Sequence, residues 1–429
     1  MAIAASIMIS CSTNQSAQVG TRIEALDNAA WDVSKWISAK DAIVITDYND
    51  GRAADGASWF VSTIKNEKKV TSAKLMATSL GVFEVYINGK PIGEEFLKPG
   101  FTHVLKTRRS FTYDITDAFK SGANAENTLS AQVTPGWWAD KIVTPGGGNG
   151  PIGKKCAFRA ILELTFADGS TKLYGTDLEN WKAGIAGPVK HAAIFDGEEY
   201  DAREPMGYLT VDKLSTPEEN TEFKGEILPS AGAEIYLRRD ITLSPIRQYT
   251  WKDVEGAKEN EYGKVVIAQE FAAGAPMTIK AGETLVVDFG QNCAAVPAFV
   301  FKAKEGTKLT CLPSELLNDG NGAKSRGMDG PEGSCHRENL RTPDTGMILD
   351  YTFAKNSGYA TYSPRCTFFG YRYVSITATD EVTIKSLTSI PVTSIAENME
   401  SGKISTGNEL VNKLISNTYW GQLSNYLSV

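Results

Sequence analysis

Apolar and polar residues alternate along most of this chain in short runs, each closed by Gly, Asn, Asp or a charged turn, which is the period-two pattern of half-buried strands. The stretch GVFEVYINGKPIG (81–93) carries β-prone residues into Asn88-Gly89. That pair best tolerates the positive φ angles of a two-residue hairpin turn. AILELTFADGSTKLYG (160–175) repeats the device with Asp168-Gly169 at the turn. TLVVDFG (284–290), AFVFKAKEGTKLTCL (298–312) and YRYVSITATDEVTIKSL (371–387) continue it. Short strands at such spacing predict sandwiches.

Helical spacing emerges only near the end, in NELVNKLISNTYWGQLSNYLSV (408–429), where Val411, Leu414, Ile415, Tyr419, Leu423 and Tyr426 fall on one stripe. Thr406 precedes Glu409 by three positions, the spacing of a capping box. The stripe has no following helix to pack on, so 406–429 is expected to be frayed, mispacked or self-associating. The reading is an all-β chain of two or more sandwich, jelly-roll-like domains followed by a C-terminal helical stub. Residues 1–20 read as a signal and linker, 21–57 as a lead-in with a strand or two, 58–205 as the first sandwich, 206–392 as the second, and 393–429 as the start of a helical unit. Clustered Pro, Thr and Glu around 205–225 suggest the first boundary.

Length and composition narrow the function. At 429 residues the chain exceeds what one core usually serves. A hydrophobic fraction of 42% with 22% charged residues is ordinary for a globular protein. The net charge of −7 opposes nucleic-acid binding, which needs a basic face to displace counterions, so a neutral or weakly charged partner fits better. At the N-terminus an apolar run from Ala2 to Ile9 leads into Ser10 and Cys11. The run is too short to span a bilayer, which takes about 20 residues, and is similar to the end of a secretory signal. A small residue before Cys11 matches a bacterial lipoprotein site, so lipidation is expected at Cys11, the membrane is met only through that anchor, and the protein is exported to the periplasm or cell surface. The other cysteines, Cys156, Cys293, Cys311, Cys335 and Cys366, contain no CxxC spacing and read as small buried hydrophobes rather than a zinc site or disulfide scaffold.

Several local motifs invite chemistry. TPGGGNGPIG (144–153) nearly fits a phosphate-binding loop, but Lys155 stands where Ser or Thr should hold magnesium, Pro151 removes a backbone donor, and strand rather than helix follows. IFDGEEYDARE (194–204) packs Asp196, Glu198, Glu199 and Asp201 together. An inverting glycosidase needs two carboxyl groups about 6.5–9.5 Å apart, one with a raised pKa, and nothing in a local polar cluster supplies that burial. Turn capping or pairing with Arg203 is the expectation, and a calcium loop lacks EF-hand spacing. In VTPGWWADK (133–141), adjacent Trp137 and Trp138 would face opposite ways in a strand. One would then be exposed as a platform for a sugar, or would pack between domains. His103, His191 and His336 lie far apart, and no GxSxG or HExxH occurs. No catalytic or metal-ligating residue is nominated.

Six phrases then stand in order: LGVFEVYINGKPIGEEFLKPGFTHVLKTRRSFTYDITD, PGWW, IFDGEEYDARE, VVDFGQNCAAVPAF, EGTKLTCLPSELLNDG and SPRCTFFGYRYVSI. Together they resemble the bacterial α-L-rhamnosidases of the inverting glycoside hydrolase family 78, over about Trp59 to the last residue. The resemblance implies a β-sandwich module, a second β-sandwich and an (α/α)6 barrel whose first helix would be 406–429, with the catalytic acid and base beyond Val429. It implies a rhamnose-containing polysaccharide or glycoside as partner and no cofactor, with calcium left open because some relatives bind rhamnose through it on the first module. Cys366 stands where an aromatic residue is commoner, and QNCAAVPAF lacks a usual Gly turn. The competing reading is a stand-alone carbohydrate-binding lipoprotein using Trp137 and Trp138.

Overall fold

The structure, a computed structural model, describes residues 18–42, 56–140, 152–319, 329–340, 346–355 and 358–428. In the first half two sheets face each other. The larger runs in spatial order Thr21–Arg22, Thr107–Asp114, Val70–Leu80, Ala157–Phe166, Ile37–Ser38 and Glu218–Glu219, with Thr171–Gly175 and Glu226–Pro229 attached at its strands. The smaller runs Trp181–Ile185, Ser58–Lys65, Glu126–Thr134, Val82–Ile87 and Lys90–Pro91. The turn at Asn88-Gly89 forms as the sequence predicts, with φ of 51° and 78° and Ile87 opposite Lys90. Gly169, at φ 80°, closes the second hairpin.

Side-chain parity along Val82–Ile87 shows how the halves meet. Phe83, Val85 and Ile87 enter the core between the two sheets, beside Leu75, Phe111 and Phe158. Residues of the other parity, Val82, Glu84 and Tyr86, leave that core. Glu84 is nonetheless buried, because the second sandwich covers this face.

The second half is a twelve-stranded sheet folded on itself. The expected separate strands at 284–290 and 298–312 are organised differently: Thr284–Ala303 is one strand of 20 residues, followed by Lys308–Ser314. Its first part pairs with Arg247–Glu255 and Phe369–Ala378, its last part with Val382–Thr393, and the register slips between Asp288 and Cys293. Such an irregularity bends a strand and lets it serve both layers. Phe299, Phe301, Tyr351 and Ile376 fill the core it encloses.

The boundary near 205 is corrected to a crossing region. Val189–Ala193 and Gly197–Asp201 belong to the second sheet, where Gly197–Asp201 runs parallel to Ile348–Thr352. The chain then returns to the first half at Glu218–Glu219 and Glu226–Pro229. The sandwiches are therefore laced through each other's sheets, and residues between 189 and 229 serve both.

The terminal helix spans Glu409–Asn425. Its cap is Asn408, whose side chain accepts from the Leu410 and Val411 amides, rather than the Thr406/Glu409 box; Thr406 instead bonds Asn412. Leu410, Val411, Leu414 and Tyr426 are exposed and only Leu423 is buried, so the expected uncovered stripe is present. The C-terminal end is anchored rather than frayed: the Ala294 amide donates to Ser424 Oγ, the Ser394 amide to the Tyr426 carbonyl, and Arg109 Nη1 to Ser428 Oγ.

Trp137 and Trp138 lie on a short helix, Gly136–Ala139, not on a strand, and the expectation of one exposed indole is corrected. Both are buried, at 7% and 1%. Trp138 packs into the first sandwich, donates to the Lys155 carbonyl at 3.0 Å and lies beneath the Arg108 guanidinium. Trp137 sits between the sandwiches, edge-on to Phe101 and Phe195. The packing alternative holds for it.

Candidate functional site

Where the halves meet, a cavity of about 230 Å³ is lined among others by Glu84, Tyr86, Glu198, Tyr200, Tyr362 and Arg365. All but Tyr362, which immediately precedes one of them, come from the phrases that carried the family resemblance. Glu84 and Tyr86 are the outward-parity residues of Val82–Ile87. Glu198 and Tyr200 share one face of Gly197–Asp201, while Glu199 and Asp201 take the other. Tyr362 ends the strand Ala360–Tyr362, and Arg365 lies in the connection to Phe369–Ala378.

The acidic cluster of 194–204 divides along that parity. Asp201 pairs with Arg203 through two short bonds of 2.9 and 2.7 Å, as expected for a turn. Glu198 is the departure from expectation, being 1% exposed. Its Oε1 accepts from the Tyr362 hydroxyl at 3.0 Å, and its Oε2 from the Arg365 and Cys366 amides at 3.0 and 3.1 Å. Burial pushes its carboxyl above the usual carboxylate range, against the downward pull of those donors.

Glu84, 2% exposed, bridges the two sandwiches: Arg365 Nη2 donates to its Oε2 at 2.8 Å. Its Oε1 has no hydrogen-bond partner among the described residues, nor has the Ser363 hydroxyl, which also lines the cavity. The aromatic walls are built in layers. Tyr86 stacks one face on Trp59 at 5.6 Å and is flanked by Tyr208. Tyr200 stacks on Tyr351 at 5.6 Å with the rings 3° from parallel. Burial first, and then the neighbouring Glu84 or Glu198, raises the Tyr86 and Tyr362 hydroxyls well above their ordinary pKa, so both remain protonated donors at neutral pH.

This arrangement can bind but is not set up to hydrolyse. Both oxygens of Glu198 are engaged, two of its three donors being backbone amides, and Glu84 is held in a salt bridge. Glu84 Oε1 is left as the one carboxyl oxygen able to accept from a ligand, and Glu198, with both oxygens engaged, does not supply the second open carboxyl that an inverting displacement requires. A larger hollow of about 510 Å³ at the edge of the first sandwich is bordered by Asp114, Thr116 and Asp117. There Asp114 accepts from the amide and hydroxyl of Thr116, a local turn contact.

The remaining nominated residues fall elsewhere. Cys11 lies outside the described residues, as does most of the glycine tract. Lys154, at the tract's end, donates its amide to Glu222, and the strand Ala157–Phe166 follows where a phosphate loop would need a helix. Among the described residues no three His, Cys, Asp or Glu side chains form a group that could hold a metal ion. Cys156, Cys293, Cys311, Cys335 and Cys366 are free thiols, all buried except the half-buried Cys335. No helix among the described residues is long and apolar enough to cross a membrane.

Comparison with known proteins agrees with the architecture. Residues 68–229 match the α-L-rhamnosidase N-terminal domain, and 262–393 match the bacterial α-L-rhamnosidase concanavalin-like domain. An α-L-rhamnosidase of Streptomyces avermitilis is 32% identical over 413 residues, covering 93% of this chain and 34% of the relative. One from Alteromonas sp. is 28% identical, covering 94% and 39%. The chain thus spans little more than a third of the curated relatives it matches. Among solved structures, the Streptomyces avermitilis enzyme complexed with L-rhamnose superposes with a TM-score of 0.66 at 27% identity, over 88% of this chain and 32% of that one. The Aspergillus terreus enzyme shares the fold, with a TM-score of 0.68 at 22% identity over 93% and 40%. Two family domains matched in order along one chain place this protein in the bacterial α-L-rhamnosidase family, of which it carries the N-terminal and concanavalin-like domains.

Proposed function

We infer that this chain acts as the non-catalytic β-region of an exported α-L-rhamnosidase, an enzyme that in its intact form hydrolyses terminal α-L-rhamnosides with inversion. The observation that carries the reading is the ordered match of both β-domains to α-L-rhamnosidases over 93% of the chain. In this reading the acid and base stand on a helical barrel entered through Glu409–Asn425, whose exposed Leu410 and Leu414 are covered by further helices. The substrate is a rhamnose-containing polysaccharide or glycoside. Support comes from a structural relative described in complex with L-rhamnose. Export and anchoring rest on the apolar run before Cys11.

The test is hydrolysis of an aryl α-L-rhamnoside by the 429-residue chain and by the full translation product of its gene. The longer product is expected to turn over with inverted anomeric configuration and this chain is not. Enzyme-like turnover by the chain alone, or none by the longer product, overturns the reading. Metabolic labelling with palmitate, lost in Cys11→Ala, tests the anchor.

A further inference from the structure

We propose that the cavity between the two sandwiches is a binding site for one neutral sugar ring, formed by Glu84, Ser363 and the tyrosine walls and independent of any metal. The proposal goes beyond the enzyme reading and stands whether or not that reading does.

Size sets the first limit. Pockets for drug-sized ligands occupy about 300–1,000 Å³. At about 230 Å³ this cavity accommodates a single ring rather than an extended chain.

Charge sets the second. Arg365 answers Glu84 across the interface, and Lys98, wholly buried, donates to the Ile92 carbonyl at 2.9 Å with Glu84 and Arg365 in its electrostatic surroundings. Burial lowers the Lys98 pKa, and the nearby Glu84 and Glu95 oppose that shift. A cationic ligand would meet Arg365, and an anionic one would meet two carboxyl groups, so a neutral ligand is favoured.

Hydrogen-bonding capacity sets the third. A carboxylate oxygen taken out of water without a donor is costly, and Glu84 Oε1 is such an atom. A hydroxylated ligand supplies the missing donor, and the adjacent Ser363 hydroxyl, also without a partner among the described residues, can engage a second hydroxyl.

The walls match the rest of such a ligand. Tyr86 and Tyr200 each have one face covered, by Trp59 and Tyr351 respectively, and each borders the cavity. The negative face of an aromatic ring attracts polarised C–H bonds such as those on the apolar side of a pyranose. Gln132, opposite Glu84 in strand register, adds an amide at the rim. The four features together are those of a pocket selective for a compact, uncharged polyol ring.

The test is titration calorimetry of the 429-residue chain with L-rhamnose, L-fucose and D-galactose, each in calcium and in EDTA. Saturable binding of one sugar per chain, equal in both buffers, is expected. Tyr208→Ala removes a half-buried ring that lines the cavity and packs against Tyr86 and the edge of Trp59, and it should weaken binding at least tenfold; Glu84→Gln should do the same. Hydrogen exchange on the unmodified chain should show ligand protection confined to the segments that line the cavity, around 18, 84–91, 132, 189, 198–208 and 361–366, a readout that needs no variant. Absence of binding by all three sugars, binding that vanishes in EDTA, or protection elsewhere would overturn the proposal. None of these results depends on the hydrolysis assay, so failure of either reading is seen separately.

Discussion

Arg365→Ala isolates the polar tie between the sandwiches. Its Nη2 to Glu84 Oε2 contact of 2.8 Å joins a side chain 23% exposed to one 3% exposed. Removing one member of a buried pair leaves the other charge uncompensated and costs roughly 3–5 kcal/mol. The residual exposure of Arg365 points to the lower end, about 3 kcal/mol, which is a factor of more than 100 in the unfolding equilibrium. With a urea slope of about 1–3 kcal/mol/M, the midpoint followed by tryptophan fluorescence should fall by about 1 M or more. Trp59 stacks on Tyr86 beside this contact, so its emission reports the region directly. The double variant Arg365→Ala/Glu84→Gln removes the stranded charge and should recover at least about 1 kcal/mol relative to the sum of the single changes. A midpoint unmoved by Arg365→Ala, or a double variant whose loss equals that sum, would refute the argument that this pair matters across the interface.

Three further outcomes follow from the same geometry. Because burial raises the Glu198 pKa, the folded state holds a proton there more tightly than the unfolded chain; stability from this group is full below the unfolded pKa and is lost as pH climbs through the folded one. Glu198→Gln keeps an oxygen for the two backbone amides and an amide for Tyr362, so its stability relative to the parent should rise as pH climbs from the unfolded to the folded pKa of Glu198 and level off above it; parallel pH curves would contradict this. Asn408→Ala removes the acceptor for two amides at the start of the terminal helix and should cost about 1 kcal/mol, seen as reduced helicity by circular dichroism and faster hydrogen exchange over 409–414. Leu410→Lys with Leu414→Lys takes two large apolar side chains, 78% and 64% exposed, off the uncovered stripe; sedimentation should show less concentration-dependent self-association than in the parent chain, and no change would show that the stripe is not adhesive.

What was legible in advance divides along a physical line. Hairpins closed by Asn88-Gly89 and Asp168-Gly169 are local, so turn chemistry and alternation identify them without knowledge of the rest of the fold. The uncovered stripe of the terminal helix is equally local, although its cap lies two residues later than the Thr406/Glu409 spacing suggests, because Asn408 is the better acceptor at that point. The continuous strand Thr284–Ala303 was not legible as one element. Gly290 and the polar residues around it read as a stop, and only pairing on both sides reveals them as a bend.

The cavity was hidden for a different reason. VFEVYI reads as a strand with Phe83, Val85 and Ile87 inside and Glu84 facing water, which is correct for the first sandwich alone. GEEYD likewise reads as a solvated turn, whereas it forms the strand Gly197–Asp201; of the local expectations, the pairing of Asp201 with Arg203 is the one present. Burial of Glu84 and Glu198 is created by a second domain, and no window along the chain contains that information. A usable signal was nevertheless present: in both segments the carboxylate and a tyrosine stand two residues apart, Glu84 with Tyr86 and Glu198 with Tyr200, and therefore share a face. A tyrosine on an outward strand face has a large apolar body to cover. When the same pairing recurs in two strands of different sandwiches, the economical arrangement is for those faces to cover each other, bringing both carboxyl groups out of water. The interlacing of 189–229 enforces this, because the strand carrying Glu198 belongs to the second sheet while the chain on either side of it belongs to the first. Separating the sandwiches would therefore expose the aromatic walls and also break strand pairing, which makes the cavity between them a fixed part of the fold.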